Sequence, residues 1–261
     1  MTDEAPVLFD VTDGIATITI NRPKQKNAMN VAVNQRLTDL WEEVDNNPEI
    51  RVAILTATPC GVFCAGMDLK EAAKLKEETG KDILEAFPDA FQERMRKVKK
   101  PIIAALSGHL MAGGMLLALN SDLRIGLAGT KVGITEVKVG RGSPWASPAL
   151  YMLPQPILME LVVTGELLPI EQLAGYGFCN YVEDTIDDVL ARAHKLAAAI
   201  VKGAPLSVKA AKASVLATMD LGVEDGLKKG WDLHQEAYNS LDAIEGPRAF
   251  AEKRAPNWQG K

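Results

Sequence analysis

The fold is decided by the stretch Pro101-Ile-Ile-Ala-Ala-Leu-Ser-Gly-His-Leu-Met-Ala-Gly-Gly114, which runs into the apolar segment Met115 to Leu119. Its opening residues, Pro101 to Leu106, predict a buried strand, and the two glycines predict the start of a short buried helix. The first N–H groups of a helix have no partner within it and lie at the positive end of its dipole. This stretch therefore predicts a strand followed by a site for developing negative charge.

Three further strand patterns precede this stretch. Val7 to Val11 and the β-branched run Ile15 to Ile20 flank a Thr-Asp-Gly turn, which predicts a hairpin. After a helical pattern near Asn30 to Val44, the run Arg51 to Ala57 is almost continuously apolar, as in strands covered on both faces. These segments predict a layered α/β fold.

Downstream, the chain changes from strands to helices. Ser121 to Gly126 and Lys131 to Ile134 predict strands, residues 136–147 predict a loop, and the chain beyond Pro154 is mostly helical. The other helical patterns are a charged stretch from Lys70 to about Lys100, broken at Gly80 and Pro88, and amphipathic segments at Val189 to Val201, Leu206 to Thr218 and Val223 to Tyr238.

Composition favours a small-molecule substrate. The 261 residues are 47% apolar with a formal net charge of -5, which gives no broad cationic surface for nucleic acid or an anionic membrane. The N-terminus is acidic and lacks the apolar run of a secretory signal, and no apolar run is long enough to span a bilayer. Three cysteines, Cys60, Cys64 and Cys179, are too few for a disulfide framework; we expect buried, inert thiols and a cytoplasmic location.

Three segments each place a Gly-containing or acidic loop after a predicted strand: Ala65-Gly66, Gly113-Gly114 and Glu136. Loops at strand ends can converge on one cleft, although packing or a positive φ angle is the ordinary reason for isolated glycines. Nearby side chains are apolar, and an apolar cleft raises the pKa of a carboxylate and makes it a better proton acceptor near neutral pH. These neighbours are Met67, Leu110, Met111, Met115, Leu116 and Trp145. Glu136 is the candidate base, with a solvated loop residue as the alternative.

Four segments in order resemble the crotonase, or enoyl-CoA hydratase/isomerase, superfamily, from about Val7 to the C-terminus. They are Asn21-Arg-Pro-Lys-Gln-Lys-Asn-Ala-Met29, Phe63-Cys-Ala-Gly-Met-Asp-Leu69, the stretch from Pro101 to Gly114 with Ser121-Asp122, and Glu245-Gly-Pro-Arg-Ala-Phe-Ala-Glu-Lys-Arg-Ala-Pro-Asn257. The resemblance implies a spiral of ββα units, with a core over residues 1–190 and a helical oligomerisation region over residues 191–261. Homotrimers, or dimers of trimers, are implied.

The same resemblance implies an enzyme acting on acyl-CoA thioesters. The backbone N–H groups of Ala65 and Gly113 would hold the thioester oxygen, and one such donor is worth about 10² to 10³ in rate. Coenzyme A would pass Lys26, Ala28 and the loop of Ala65, Gly66, Met67, Asp68 and Leu69, with Asp68 capping the following helix. Coenzyme A is part of the substrate, and we expect no redox or metal cofactor.

Two departures from the family pattern bear on the reaction. Family hydratases use two glutamates, and the first of these positions is Leu116 here, whereas the second is Glu136 in Ile134-Thr-Glu-Val-Lys-Val-Gly140. Leucine cannot position water or exchange a proton, so a single base remains, as in the enoyl-CoA isomerases. The second departure is Arg141-Gly-Ser-Pro-Trp-Ala-Ser-Pro148, where Pro144 and Trp145 are expected to reshape the acyl pocket.

Several functions stay open at this point. Proton transfer by Glu136 in an acyl-CoA isomerase or hydratase is the leading interpretation, and the next is a hydroxycinnamoyl-CoA hydratase-lyase or a carnitinyl-CoA-type dehydratase. A non-catalytic RNA-binding relative is the remote alternative, and its basic patch would be Arg94-Met-Arg-Lys-Val-Lys-Lys100.

Overall fold

A computed structural model describes residues 5–261 of the chain. The acidic N-terminus and the first residues of the predicted core, residues 1–4, lie outside the described part. The strands are β1 (Val7–Thr12), β2 (Ile15–Ile20), β3 (Val52–Ala57), β4 (Val62–Cys64), β5 (Ile102–Ala105), β6 (His109–Met111), β7 (Leu123–Leu127), β8 (Lys131–Gly133), β9 (Leu168–Pro169) and β10 (Tyr181–Glu183). The α-helices are α1 (Val31–Asn46), α2 (Leu69–Thr79), α3 (Ile83–Ala86), α4 (Glu93–Lys97), α5 (Gly113–Leu119), α6 (Gln155–Thr164), α7 (Ile170–Gly175), α8 (Ile186–Val201), α9 (Pro205–Leu221), α10 (Val223–Tyr238) and α11 (Leu241–Ala251).

The larger sheet has six strands in the order β1-β2-β3-β5-β7-β10. β1 and β2 form the predicted antiparallel hairpin, whose turn residues Asp13 and Gly14 both have positive φ. The remaining pairs are parallel. β3 is buried along its whole length, as its apolar sequence predicts.

The two faces of β3 contact different parts of the molecule. Ala53 and Leu55 belong to the main core, which includes α1, whereas Val52 and Ile54 pack with α8 on the opposite side. Alternate residues of a strand point to opposite faces, so a sheet between two helical layers needs apolar residues at every position.

The smaller sheet has four strands in the order β4-β6-β8-β9, with β4, β6 and β8 parallel. Successive strands alternate between the sheets, since β3, β5 and β7 lie in the larger one and β4, β6 and β8 in the smaller one. Each turn of the chain therefore adds one strand to each sheet. This confirms the predicted α/β spiral built from ββα units.

Several local predictions need correction. The segment from Cys60 to Leu69, predicted as a loop, contains the short strand β4, and β6 was also missed. Three-residue strands are too short to show alternation. Residues 136–147, predicted as a loop, include 3₁₀ turns at Glu136–Val139 and from Pro144. The charged stretch from Lys70 is divided near Gly80 and Pro88, as predicted, into α2, α3 and α4.

The C-terminal region is helical as predicted, but its boundary differs. The predicted division between residues 190 and 191 lies inside α8, whose Val189, Ala193 and Ala197 are buried against the larger sheet. This helix therefore packs on the larger sheet on both sides of the predicted boundary. Within residues 5–261, no helix is both long and apolar enough to cross a lipid bilayer.

Candidate active site

Three loops meet at one edge of the smaller sheet. The loop with Ala65 and Gly66 follows β4, the turn into α5 at Ala112 follows β6, and the loop with Glu136 follows β8. Because β4, β6 and β8 are parallel neighbours, their carboxyl ends lie side by side and bring these loops together. The sequence predicted this convergence and placed Glu136 after the correct strand, but it assigned the two glycine loops to the strands now numbered β3 and β5.

A cavity of about 110 Å³ lies between these loops. Most of the predicted site residues line it, namely Ala65, Met67, Leu69, Gly113, Leu116, Glu136 and Trp145. Gly66 and Asp68 lie in the loop beside the cavity without lining it, Ala28 is buried behind it, and Lys26 is exposed. The remaining walls come from Met29, Leu84, Phe87, Ala90, Phe91, Ala112, Thr135, Val139, Arg141 and Gly142.

The two glycine loops approach within van der Waals contact. A Cβ atom on Gly66 would lie 2.7 Å from Cβ of Ala112 and 3.2 Å from the nitrogen of Gly113. A Cβ atom on Gly114 would lie 2.4 Å from the carbonyl oxygen of Cys64. Glycine is therefore required where these backbones meet.

The hydrogen bonds of the first loop differ from the sequence expectation. The Ala65 N–H donates to the carbonyl oxygen of Lys26 at 3.2 Å, so it is already paired. Among the described residues, neither the Met67 N–H nor the Gly113 N–H has a hydrogen-bond partner. The Met67 nitrogen is covalently attached to the carbonyl carbon of Gly66. That carbon lies 3.7 Å from the position that a Cβ atom on Gly113 would take, so the two N–H groups come from backbones in close contact. The available pair of donors is Met67 and Gly113, and the assignment of Ala65 needs correction.

The turn into α5 holds Gly113 in place. Ala112 adopts φ 49 and ψ -115, a region that alanine rarely enters, and its N–H donates to the Gly133 oxygen at 3.0 Å. The first N–H groups of α5 have no carbonyl partner in the described residues, and the whole helix is buried. The unpaired N–H groups therefore lie at the positive end of a helix that excludes water.

The segment around Lys26 runs beside the first loop. The Met29 N–H donates to the Gly66 oxygen at 2.7 Å, and the Asp68 N–H donates to the Met29 oxygen at 2.8 Å. Asp68 caps α2 by accepting from the Glu71 N–H, as predicted, and forms an ion pair with Arg22 at 3.0 Å.

Glu136 is buried, with 9% of its surface exposed. Its Oε2 atom has no hydrogen-bond partner in the part of the chain that the structure describes. Burial raises the pKa of this carboxyl above its ordinary value and outweighs opposing polar contacts, which include the Trp145 side chain. A carboxylate of this kind is held ready to accept a proton.

The position at which family hydratases carry their first glutamate is apolar here. Leu116 is buried and lines the cavity at this position, so it provides no second carboxylate. The segment after α3 adds Leu84, Phe87 and Phe91, which the sequence analysis missed. Their spacing of three and four residues, after a capping box at Asp82, is the signal that could have identified this wall.

Cys64 lies next to the first loop, and its Sγ atom accepts a hydrogen bond from the Gly66 N–H at 3.4 Å. Burial raises the pKa of the Cys64 and Cys179 thiols to about 12, which agrees with the expectation of inert thiols. In residues 5–261, no three His, Cys, Asp or Glu side chains are close enough together to hold a metal ion. The basic cluster is divided, because Arg94 pairs with Glu42, Lys97 pairs with Glu93 and Lys100 is buried.

The profile of the family described as enoyl-CoA hydratase/isomerase matches residues 10–261. The chain belongs to the enoyl-CoA hydratase/isomerase family. As a member it is an enzyme whose substrates are acyl-CoA thioesters.

Similar proteins match nearly the whole length of this chain. It is 35% identical to an (E)-benzylidenesuccinyl-CoA hydratase of Thauera aromatica, over 98% of this chain and 99% of the relative. It is 33% identical to a carnitinyl-CoA dehydratase of Salmonella typhi, over 95% of each chain. A crystal structure of an enoyl-CoA hydratase from Mycobacterium tuberculosis H37Rv superposes with a TM-score of 0.87 at 36% identity, over 99% of this chain and 100% of the other. These similarities confirm the predicted crotonase fold.

We expect Gly114→Ala to reduce activity and to lower stability by about 1–3 kcal/mol, because the new methyl group meets the Cys64 carbonyl oxygen, a backbone atom that cannot rotate away. Gly175→Ala in α7 is the matched control, since its Cβ atom has open space. Thermal unfolding and turnover of both variants test this. Equal behaviour of the two variants would contradict the close-contact argument.

We expect Glu136→Gln to become more stable relative to the parent as pH rises. A carboxyl whose pKa is raised by folding stabilises the fold while protonated, and that contribution is lost as pH increases through the raised pKa. Glutamine does not titrate. Melting temperatures between about pH 5 and about pH 8 check this; a stability difference that stays constant with pH would show that Glu136 does not titrate abnormally.

Proposed function

We propose that the enzyme moves a proton on the carbons next to the thioester of an enoyl-CoA, with Glu136 as the base. The thioester oxygen accepts hydrogen bonds from the Met67 and Gly113 N–H groups, which stabilise the enolate formed when the proton leaves. The supporting observation is that a buried carboxylate with an unpaired oxygen lines the same cavity as these two unpaired donors.

The single carboxylate favours isomerisation. Glu136 removes a proton from one carbon of the acyl chain and returns it two carbons further along, while the double bond moves by one position. One base and one oxyanion site are sufficient for this reaction, and no water is consumed. Leu116 supports this reading because an apolar side chain at that position cannot hold a water molecule.

Hydration or dehydration is the second candidate. It is favoured by the relatives named (E)-benzylidenesuccinyl-CoA hydratase and carnitinyl-CoA dehydratase. In that reaction Glu136 alone would activate and deliver the water. A product-resolved assay with 2-enoyl-, 3-enoyl- and hydroxycinnamoyl-CoA esters separates isomerase, hydratase and hydratase-lyase activity.

We further propose that coenzyme A lies along the segment of Lys26 to Met29 and the loop from Ala65 to Leu69. The backbone hydrogen bonds between these segments make one continuous wall that ends at the cavity. Lys26 is exposed on this wall, where its ammonium group can contact a phosphate.

We also propose a cytoplasmic location for the enzyme, which the free state of Cys60, Cys64 and Cys179 supports.

We expect Glu136→Gln to lower turnover by about 10² to 10⁴ while CoA-ester binding is retained, because the amide keeps the shape of the side chain but cannot accept the proton. Glu166→Gln is the control, since Glu166 is an exposed residue paired with Lys138. Steady-state rates and the Kd of a saturated acyl-CoA measure the two effects. Unchanged rates of Glu136→Gln on every enoyl-CoA that the parent uses would exclude the proposed base.

We propose that the chain forms a homotrimer, alone or as a dimer of trimers, through its C-terminal helices. Val223, Leu227 and Trp231 recur every four residues on one face of α10 and are all exposed in the single chain. Ile244 and Phe250 of α11 are exposed as well. Apolar faces of this extent are normally covered by a partner, here further copies of the chain.

Light scattering should accordingly give a mass of three, or six, times 28.2 kDa for the parent protein. Leu227→Glu places a charge on the apolar face and should shift the distribution towards monomer. Lys229→Glu, on the opposite face of α10, is the matched control. A parent that is monomeric at micromolar concentration would refute the proposal.

A further inference from the structure

Arg141 is the feature of the cavity that proton transfer does not explain. Among the described residues that line the cavity, it alone carries a positive charge. The surrounding wall is formed by apolar side chains such as Leu84, Phe87 and Val139. The Arg141 side chain is 27% exposed, and a guanidinium group that is partly shielded from water interacts more strongly with a carboxylate than one on an open surface.

The local structure holds this guanidinium group in position. The Arg141 N–H donates to the Glu136 carbonyl oxygen at 3.0 Å, which anchors the backbone beside the proposed base. Nη2 forms an ion pair with the carboxylate of Asp82. Within residues 5–261, Nε and Nη1 donate to no protein group, so Arg141 retains donors for a second anion.

The position of Asp82 makes it a counter-ion that a ligand can replace or share. Asp82 is partly exposed and already accepts a hydrogen bond from the Leu84 N–H at 2.9 Å as the cap of α3. An Arg side chain can bind a carboxylate through two parallel N–H bonds, and Asp82 uses only one nitrogen.

The ion pair places the charge of Arg141 beside α3. Nη2 of Arg141 contacts the carboxylate of Asp82, and Asp82 is the residue that caps α3. The guanidinium group therefore lies at the α3 side of the cavity, whereas Glu136 comes from the loop after β8. The cavity thus has an oxyanion site and a base at one part and a cation at another, as a substrate with charge at a distance from its thioester would require.

We propose that Arg141 binds a carboxylate on the acyl group, so that the preferred substrates are CoA monothioesters of dicarboxylic acids. This inference rests on the proposed function and specifies its substrate class. The free carboxylate of the substrate takes the unused donors of Arg141, and Asp82 holds the guanidinium group in the orientation that presents them.

Calorimetric binding of saturated esters tests the proposal without requiring turnover. The probes are pairs of equal length: succinyl- and butyryl-CoA, glutaryl- and valeryl-CoA, and adipyl- and hexanoyl-CoA. For the parent we expect the carboxylated member to bind about 10- to 100-fold more tightly in at least one pair, as a charge-assisted hydrogen bond allows. A ratio below about 2-fold in every pair would overturn the proposal.

Two variants separate ligand binding from a purely structural role of the ion pair. Arg141→Gln should remove the preference by weakening only the carboxylated ester. Asp82→Asn keeps the cap of α3 and an amide oxygen that can still accept from Nη2 of Arg141 and orient it, but removes the competing negative charge. It should therefore bind the carboxylated ester as tightly as the parent or more tightly. If both variants weaken both members of each pair alike, the ion pair only holds the cavity wall and the proposal is wrong.

The outcomes also distinguish this inference from the function on which it rests. Binding of neither ester by the parent would refute the acyl-CoA site itself and, with it, the role of Arg141. Binding of both esters without preference would refute the role of Arg141 alone.

Discussion

The contact between two backbone segments, one at Gly66 and one at Gly113 and Gly114, is the constraint on which the rest of the structure depends. No side chain fits between them, because a Cβ atom on Gly114 would meet a main-chain oxygen at 2.4 Å. The contact fixes where the N–H groups of Met67 and Gly113 lie. Both segments lie at one edge of the smaller sheet, because they follow its parallel neighbouring strands β4 and β6.

The electrostatics of the site follow from the same enclosure. A buried helix start with unpaired N–H groups favours negative charge, whereas the buried Glu136 carboxyl disfavours it. Each group is destabilised in the absence of a substrate. In the proposed reaction a proton moves to Glu136 and negative charge moves to the thioester oxygen, and both groups then reach their preferred state. The fold therefore maintains an unfavourable charge and an unfavourable dipole that the proposed step would relieve together.

Much of this arrangement could be predicted from particular residues. The glycines at 113 and 114 before an apolar run, the almost continuously apolar β3 and the acidic Glu136 among apolar neighbours each have a clear physical reason. The choice between the Ala65 and Met67 N–H groups could not be predicted, because it depends on the carbonyl oxygen of Lys26, a residue with positive φ in a distant loop. The wall formed by Leu84, Phe87 and Phe91 was missed because the charged stretch before it reads as a surface helix.

The packing of α8 against the larger sheet has a consequence for synthesis on the ribosome. This helix covers Val52, Ile54, Ile103, Ala105 and Ile125, all of which leave the ribosomal exit tunnel before it does. One side of the nascent sheet is therefore bare until α8, which ends at Val201 of 261 residues, has left the tunnel. Apolar surface exposed for that interval is a binding site for chaperones and a starting point for aggregation.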